Sequence, residues 1–230
     1  MDTSEAVRLP LKAERPGAEE GMQGTLQEWV YRQLREAIMT GQLIPGRSVT
    51  LRGVATMLEV SPMPVREAVR RLVAERALEA MDNRRVAVPR MTQDKLDELC
   101  RARIALEIAA AERALPAIDE KRLQRLRQLD TEINEAVGAG DDEAYLIKHR
   151  AFHFGIYDAA PSQVLLPLIE SVWLQLGPFM RMVLRHLNSY EVDRHVEILD
   201  AIARRDARAL SFAVEADIRE GMGGLRAEVE

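Results

Sequence analysis

Residues 51–79 fit two short helices with almost nothing between them, a spacing that restricts the possible folds more than any other feature of the chain. Thr50 can cap the first of these helices, whose apolar positions Leu51, Val54, Ala55 and Leu58 share one side. In the run EVSPMPVREAVRRLVAERALE that follows, Ser61 suits an N-cap, and Pro62 suits the first helical position, where a missing N–H costs nothing. The second helix then buries Val65, Ala68, Val69, Leu72 and Val73, so that Arg66 and Arg70, one turn apart, point outward together. Upstream, Leu26, Trp29, Val30, Leu34, Ala37 and Ile38 recur at helical spacing from Thr25, a pattern that stops at Gly41 before the turn at Pro45 and Gly46. Downstream, extended stretches at 78–81 and 85–89 flank the turn-favouring Asp82 and Asn83, as in a small hairpin.

Two short helices on a tight turn, the second rich in arginine, followed by a basic hairpin, form the layout that places a helix in the DNA major groove. Guanidinium forks at Arg66 and Arg70 can pair bidentately with guanine edges or phosphates. Arg84 and Arg85 at the hairpin can reach phosphate or the minor groove, and Arg52 can hold the backbone. Taken singly, each arginine is equally compatible with a solvated helix face. The net charge of -5 conceals an uneven distribution: residues 23–90 carry 11 Arg against 7 acids, whereas residues 91–230 carry 18 bases against 25 acids. A polyanion would therefore be held by the first part only.

The stretch LREAIMTGQLIPGRSVTLRGVATMLEVSPMPVREAVRRLVAERALE resembles the DNA-binding domain of the GntR family. Together with the helical remainder, residues 25–225 resemble its FadR-like subfamily, whose second part is the FCD effector domain. The resemblance implies that Arg52, Arg66 and the residues opening the recognition helix, Ser61 and Met63, touch DNA. It also implies a homodimer on a palindromic operator. Two departures from the family pattern stand out: Pro62 stands where Arg is usual, and Arg84 and Arg85 stand where the wing usually has Gly.

From Thr92, which can cap a new helix, the pattern is helical throughout, at about 93–114, 119–137, 142–159, 163–187, 190–204 and 207–225. A kink is expected at Pro178. Hydrophobic residues make up 47% of the chain and aromatics only 4%, which favours aliphatic helix packing over an all-β core. The expected fold is thus mainly α: a winged helix-turn-helix over residues 23–90 and an all-α bundle of six to seven helices over 91–230. Residues 1–22 show no sustained period and read as a flexible arm. A single cysteine, Cys100, and no apolar run long enough to span a bilayer are consistent with a cytoplasmic protein without membrane contact.

Four histidines, His149, His153, His186 and His195, all lie in the second part. His149 and His153 project from one helix face and could share a metal, although such a pair is often plain surface or satisfied core. His195 and Asp217 lie on two later helices separated by a reversal at Arg205 and Asp206, so both could come level with the pair. The family resemblance assigns these positions more firmly. FCD domains often carry Asp-x-x-x-His, a later His before ILDAI, and a final His; here His149 stands in the Asp place and Asp217 in the place of the last His. The inventory of three imidazoles and one carboxylate survives and suits zinc, nickel or a similar divalent ion. In relatives such a centre holds a small organic acid. Arg103 matches a cavity-facing arginine, with a salt bridge to Glu107 as the alternative, while Arg181, Arg185 and His186 could also approach. Trp173 and Phe179 read as core. Two other functions compete: a metal-dependent hydrolase, although no HExxH is present, and a helical dimerisation module without effector.

Overall fold

The computed structural model describes residues 26–82, 85–184, 194–226 and 228–229. The expected arm at 1–22, the hairpin residue Arg84, and Arg185 and His186 lie outside this set. The chain separates into two compact units, one running through Arg90 and joined by Leu174–Phe179, the other comprising Met91–Trp173 and Met180–Glu230.

In the first unit, helices α1 (Leu26–Met39), α2 (Leu51–Met57) and α3 (Pro62–Ala74) pack as a trihelical core, with α3 against both others. The expected stripes are inside: Val30, Leu34 and Ile38 from α1, Val54 and Ala55 from α2, and Val65, Ala68, Val69 and Leu72 from α3 are buried. Thr50 caps α2 through a bond from Gly53 N to its hydroxyl at 3.0 Å. Ser61 occupies the N-cap of α3 with extended backbone, but its hydroxyl makes no cap bond. With Pro62 at N1, one of the orphan donors is already gone and the cap has less to satisfy. Val73 is only half-buried, at the edge of the stripe.

The hairpin strands β2 (Glu79–Met81) and β3 (Arg85–Ala87) are joined by a third, β1 (Ser48–Thr50), in the antiparallel order β1-β3-β2. Val86 lies opposite Val49 on one side and Ala80 on the other. The sequence reading contains no strand at β1, because three residues between a turn and a helix cap carry no local period. Cross-strand pairing creates it.

The second unit is built from α4 (Gln93–Ala114), α5 (Glu120–Ala139), α6 (Asp142–Tyr157), α7 (Leu165–Val183) apart from its segment Leu174–Phe179, α8 (Arg194–Ala203) and α9 (Ala207–Arg226). Helix α4 packs on α9 and α6, α5 on α6 and α8, and α8 on α9. Thr92, Asp119 and Asp141 each cap a helix by accepting a backbone N–H three residues on. Gly140 ends α5 in the left-handed region at φ 66°, a conformation that glycine adopts without strain. Helix α7 continues through Gly177 and Pro178. No helix among the described residues is long and apolar enough to cross a membrane.

Candidate nucleic-acid face and metal centre

Helix α3 carries three arginines in six positions, Arg66, Arg70 and Arg71, and the structure sorts them into two roles. Arg71 turns toward α1: it pairs with Glu28 at 3.0 Å and Glu75 at 3.3 Å, and its guanidinium lies 3.6 Å from the centre of the Tyr31 ring. The Tyr31 hydroxyl donates to Glu75 at 2.8 Å, and burial, reinforced by that carboxylate, pushes its pKa up to about 12. This clasp fixes the back of α3. Arg66 and Arg70 are exposed on another face, Arg70 with only long contacts of 3.4 Å to Glu67. Ser61 and Met63 are exposed at the N-terminus of α3, and Arg52 is exposed at the start of α2. Arg85 is different: it donates to the Ser48 hydroxyl at 2.8 Å and to the Ser48 carbonyl at 2.9 Å, bracing β3 against β1.

In the helical unit, His149, His153, His195 and Asp217 converge so that one ligand atom from each lies within 4.8 Å of all the others. Helix α6 supplies the pair one turn apart, α8 supplies His195, and α9 returns Asp217 beside it. His153 Nε2 lies 3.2 Å from His149 Nε2 and 3.5 Å from Asp217 Oδ2; His195 Nε2 lies 3.8 Å from Asp217 Oδ1. Donors on a tetrahedral zinc sit about 3.3 Å apart, so small side-chain adjustments would close the set on one ion. His149 and His153 are buried, and this burial, with neighbouring positive charge, holds both pKa values well below the ordinary histidine range. Their lone pairs are therefore available at neutral pH.

Among the described residues of this unit, the buried formal charges are Arg103, Glu107 and Asp130, and the Asp217 side chain is only 16% exposed. Glu107 is matched by Arg103, and Asp130 faces His195 Nδ1 at 3.1 Å. Burial raises the pKa of Asp217.

Arg103 pairs with Glu107, from Nε to Oε1 at 2.8 Å, with both side chains buried. The same carboxylate accepts from the Tyr157 hydroxyl at 2.6 Å and from Trp173 Nε1 at 2.8 Å. Trp173 therefore does more than fill the core, as the sequence reading has it. Arg103 Nη1 lies 3.8 Å from the Met222 sulfur, a weak acceptor. The sequence reading overlooked Glu107 and Tyr157 as site residues, and also Asp130. The signal for Asp130 was present: an acid in the stripe Leu123, Leu126, Leu129, Ile133, where the helical period demands an apolar residue. Arg181 pairs with Asp142 at 3.2 Å, away from the donor cluster.

A winged helix-turn-helix beside a helical bundle that encloses polar donors defines a class: a DNA-binding regulator with a ligand-sensing domain. The FCD domain matches residues 98–220, and the description "Bacterial regulatory proteins, gntR family" matches residues 26–88. The HTH-type transcriptional regulator McbR of Escherichia coli is 29% identical over 89% of this chain and 88% of that protein. The solved structure of E. coli McbR/YncC superposes with a TM-score of 0.83 at 26% identity, covering 90% of this chain and 99% of that one. A GntR structure from Rhodococcus sp. RHA1 shares the fold at a TM-score of 0.72 and 24% identity, over 89% and 99% of the two chains. This chain belongs to the GntR family of transcriptional regulators, in the branch with a C-terminal FCD effector-binding domain.

Proposed function

We propose that the protein is a cytoplasmic, homodimeric regulator that binds a palindromic operator through α3, with an affinity set by a small organic acid held at a divalent metal, zinc or nickel, in the FCD domain. The observation that carries this reading is the convergence of four donors, three of them buried, from α6, α8 and α9. His149, His153, His195 and Asp217 would hold the ion, which when bound supplies a Lewis-acidic anchor for an anionic oxygen. Arg103 would take part from its side. Its charge acts on the imidazoles of His149 and His153, and a ligand carboxylate would offer Nη1 a stronger acceptor than the Met222 thioether. Two-fold protein symmetry would match a palindrome, and effector binding would shift the placement of the two DNA heads.

At the DNA face, Arg52, Ser61, Met63, Arg66 and Arg70 would form the contact surface, with Arg84 and Arg85 as further contacts from the hairpin sequence. Arg66→Ala is expected to weaken operator binding by about 1–3 kcal/mol if the guanidinium reads a base, and by less, with a shallower salt dependence, if it holds a phosphate. Fluorescence anisotropy across a salt series distinguishes the two, and unchanged binding removes Arg66 from the interface. The full reading is tested by titrating small carboxylates into the protein–operator complex, with and without chelator. A response that chelation abolishes supports coupling of metal, effector and DNA, whereas an operator affinity indifferent to every acid overturns the effector role.

A further inference from the structure

The two buried imidazoles whose second nitrogens can be followed present the same end to the donor cluster. His195 directs Nε2 toward Asp217 and Nδ1 toward Asp130 on α5, with Nδ1 to Oδ1 at 3.1 Å. His153 directs Nε2 toward His149 and Asp217, and Nδ1 toward the Tyr157 hydroxyl at 3.4 Å. That hydroxyl in turn donates to Glu107, whose carboxylate is anchored by Arg103 and Trp173. The two rings come from different helices and are backed by different elements, yet each has an acceptor behind it and the cluster in front.

From this arrangement we infer that Asp130, acting on His195, and Tyr157, held by Glu107 and acting on His153, are positioning residues of the metal centre. Each acceptor selects the Nδ1–H tautomer, which leaves the Nε2 lone pair for the metal, and fixes the ring plane so that the lone pair aims at the common point. A carboxylate behind the ring also makes it a stronger donor. On His153 the order is Nδ1–H to Tyr157 oxygen, then Tyr157 O–H to Glu107, so every proton has one acceptor. The buried acid in the apolar stripe of α5 thereby acquires a reason. Asp130 is 8% exposed in a helix that otherwise buries Leu123, Leu126, Leu129 and Ile133, a position where a carboxylate without a partner of this kind would only destabilise.

The inference rests on the metal reading above, and the experiment separates the two. Metal-stripped full-length protein, Asp130→Asn, Tyr157→Phe and the surface control Asp200→Asn are titrated with zinc against a chromophoric chelator. Each is also loaded with cobalt(II) to record its visible ligand-field spectrum. Asp200 is 57% exposed and pairs with Arg204 one turn further on, so its loss should leave zinc affinity unchanged. The expected result is a drop in zinc affinity of about 10- to 100-fold for Asp130→Asn and about tenfold for Tyr157→Phe, with altered cobalt spectra. A purely structural role would lower the melting temperature of the stripped protein and leave affinity and spectrum as they were, which overturns the inference. Equal losses in Asp200→Asn would reduce the effect to general electrostatics and overturn it as well. If the unaltered protein fails to compete with the chelator at all, the metal reading falls and this inference with it; if it competes and the two variants match it, only the inference falls. Should Asp130→Asn fail to fold, Tyr157→Phe decides, since it keeps Glu107 paired with Arg103 and Trp173.

Discussion

Glu107→Ala should destabilise the helical unit by about 3–5 kcal/mol, which is the loss expected when one member of a buried ion pair is removed and the other stays. The reason is local. Arg103 is 4% exposed as a side chain and would keep its charge after losing the carboxylate that its Nε holds at 2.8 Å. The Tyr157 hydroxyl and Trp173 Nε1 would lose their acceptor at the same time. Urea unfolding of metal-stripped protein, followed by far-UV circular dichroism, measures the change, and a loss under about 1 kcal/mol would show that water or a rearranged side chain replaces the carboxylate. Glu107→Gln keeps one acceptor oxygen and should lie between the two. A substitution in the helical unit that destabilises it without altering the residues of α3 would lower the abundance of the regulator rather than alter its sequence preference.

His153→Ala should remove tightly bound metal altogether. His153 is fully buried at the centre of the cluster, within 3.5 Å of both the His149 and the Asp217 donor atoms, so its loss leaves the others without their middle member. Elemental analysis of protein prepared without a metal-affinity tag should show bound metal in the parent protein and none above background in the variant. Adding zinc to the stripped parent protein should raise its melting temperature, by an amount that follows the ratio of free metal to Kd, and leave the variant where it was. Retention of metal by His153→Ala would move the ion to a different donor set.

Much of the fold was legible along the chain because it is made of helices with clean local signals. The caps at Thr50 and Thr92 and the apolar stripe of α3 act over three or four residues, a range within which neighbours in sequence are neighbours in space. The pairing of His149 with His153 is legible for the same reason, since one helical turn places both rings on one face. The fate of Arg103 was legible only as two alternatives, a cavity-facing cation or a partner for Glu107, because the spacing allows both. Burial of Glu107 with three donors around it makes the ion pair a fact.

What the sequence by itself determined is the set of amphipathic helices, their caps and the family signature on α1 to α3, since these depend on short-range periodicity and on the φ/ψ preferences of single residues. Tertiary structure alone decided that Ser48–Thr50 becomes a strand, that Arg85 braces it, and that an acid on α5 stands behind a histidine on α8. Those outcomes join residues 37 and 65 positions apart. Their energies come from desolvated partners meeting across the core, and no local pattern records which partner will arrive.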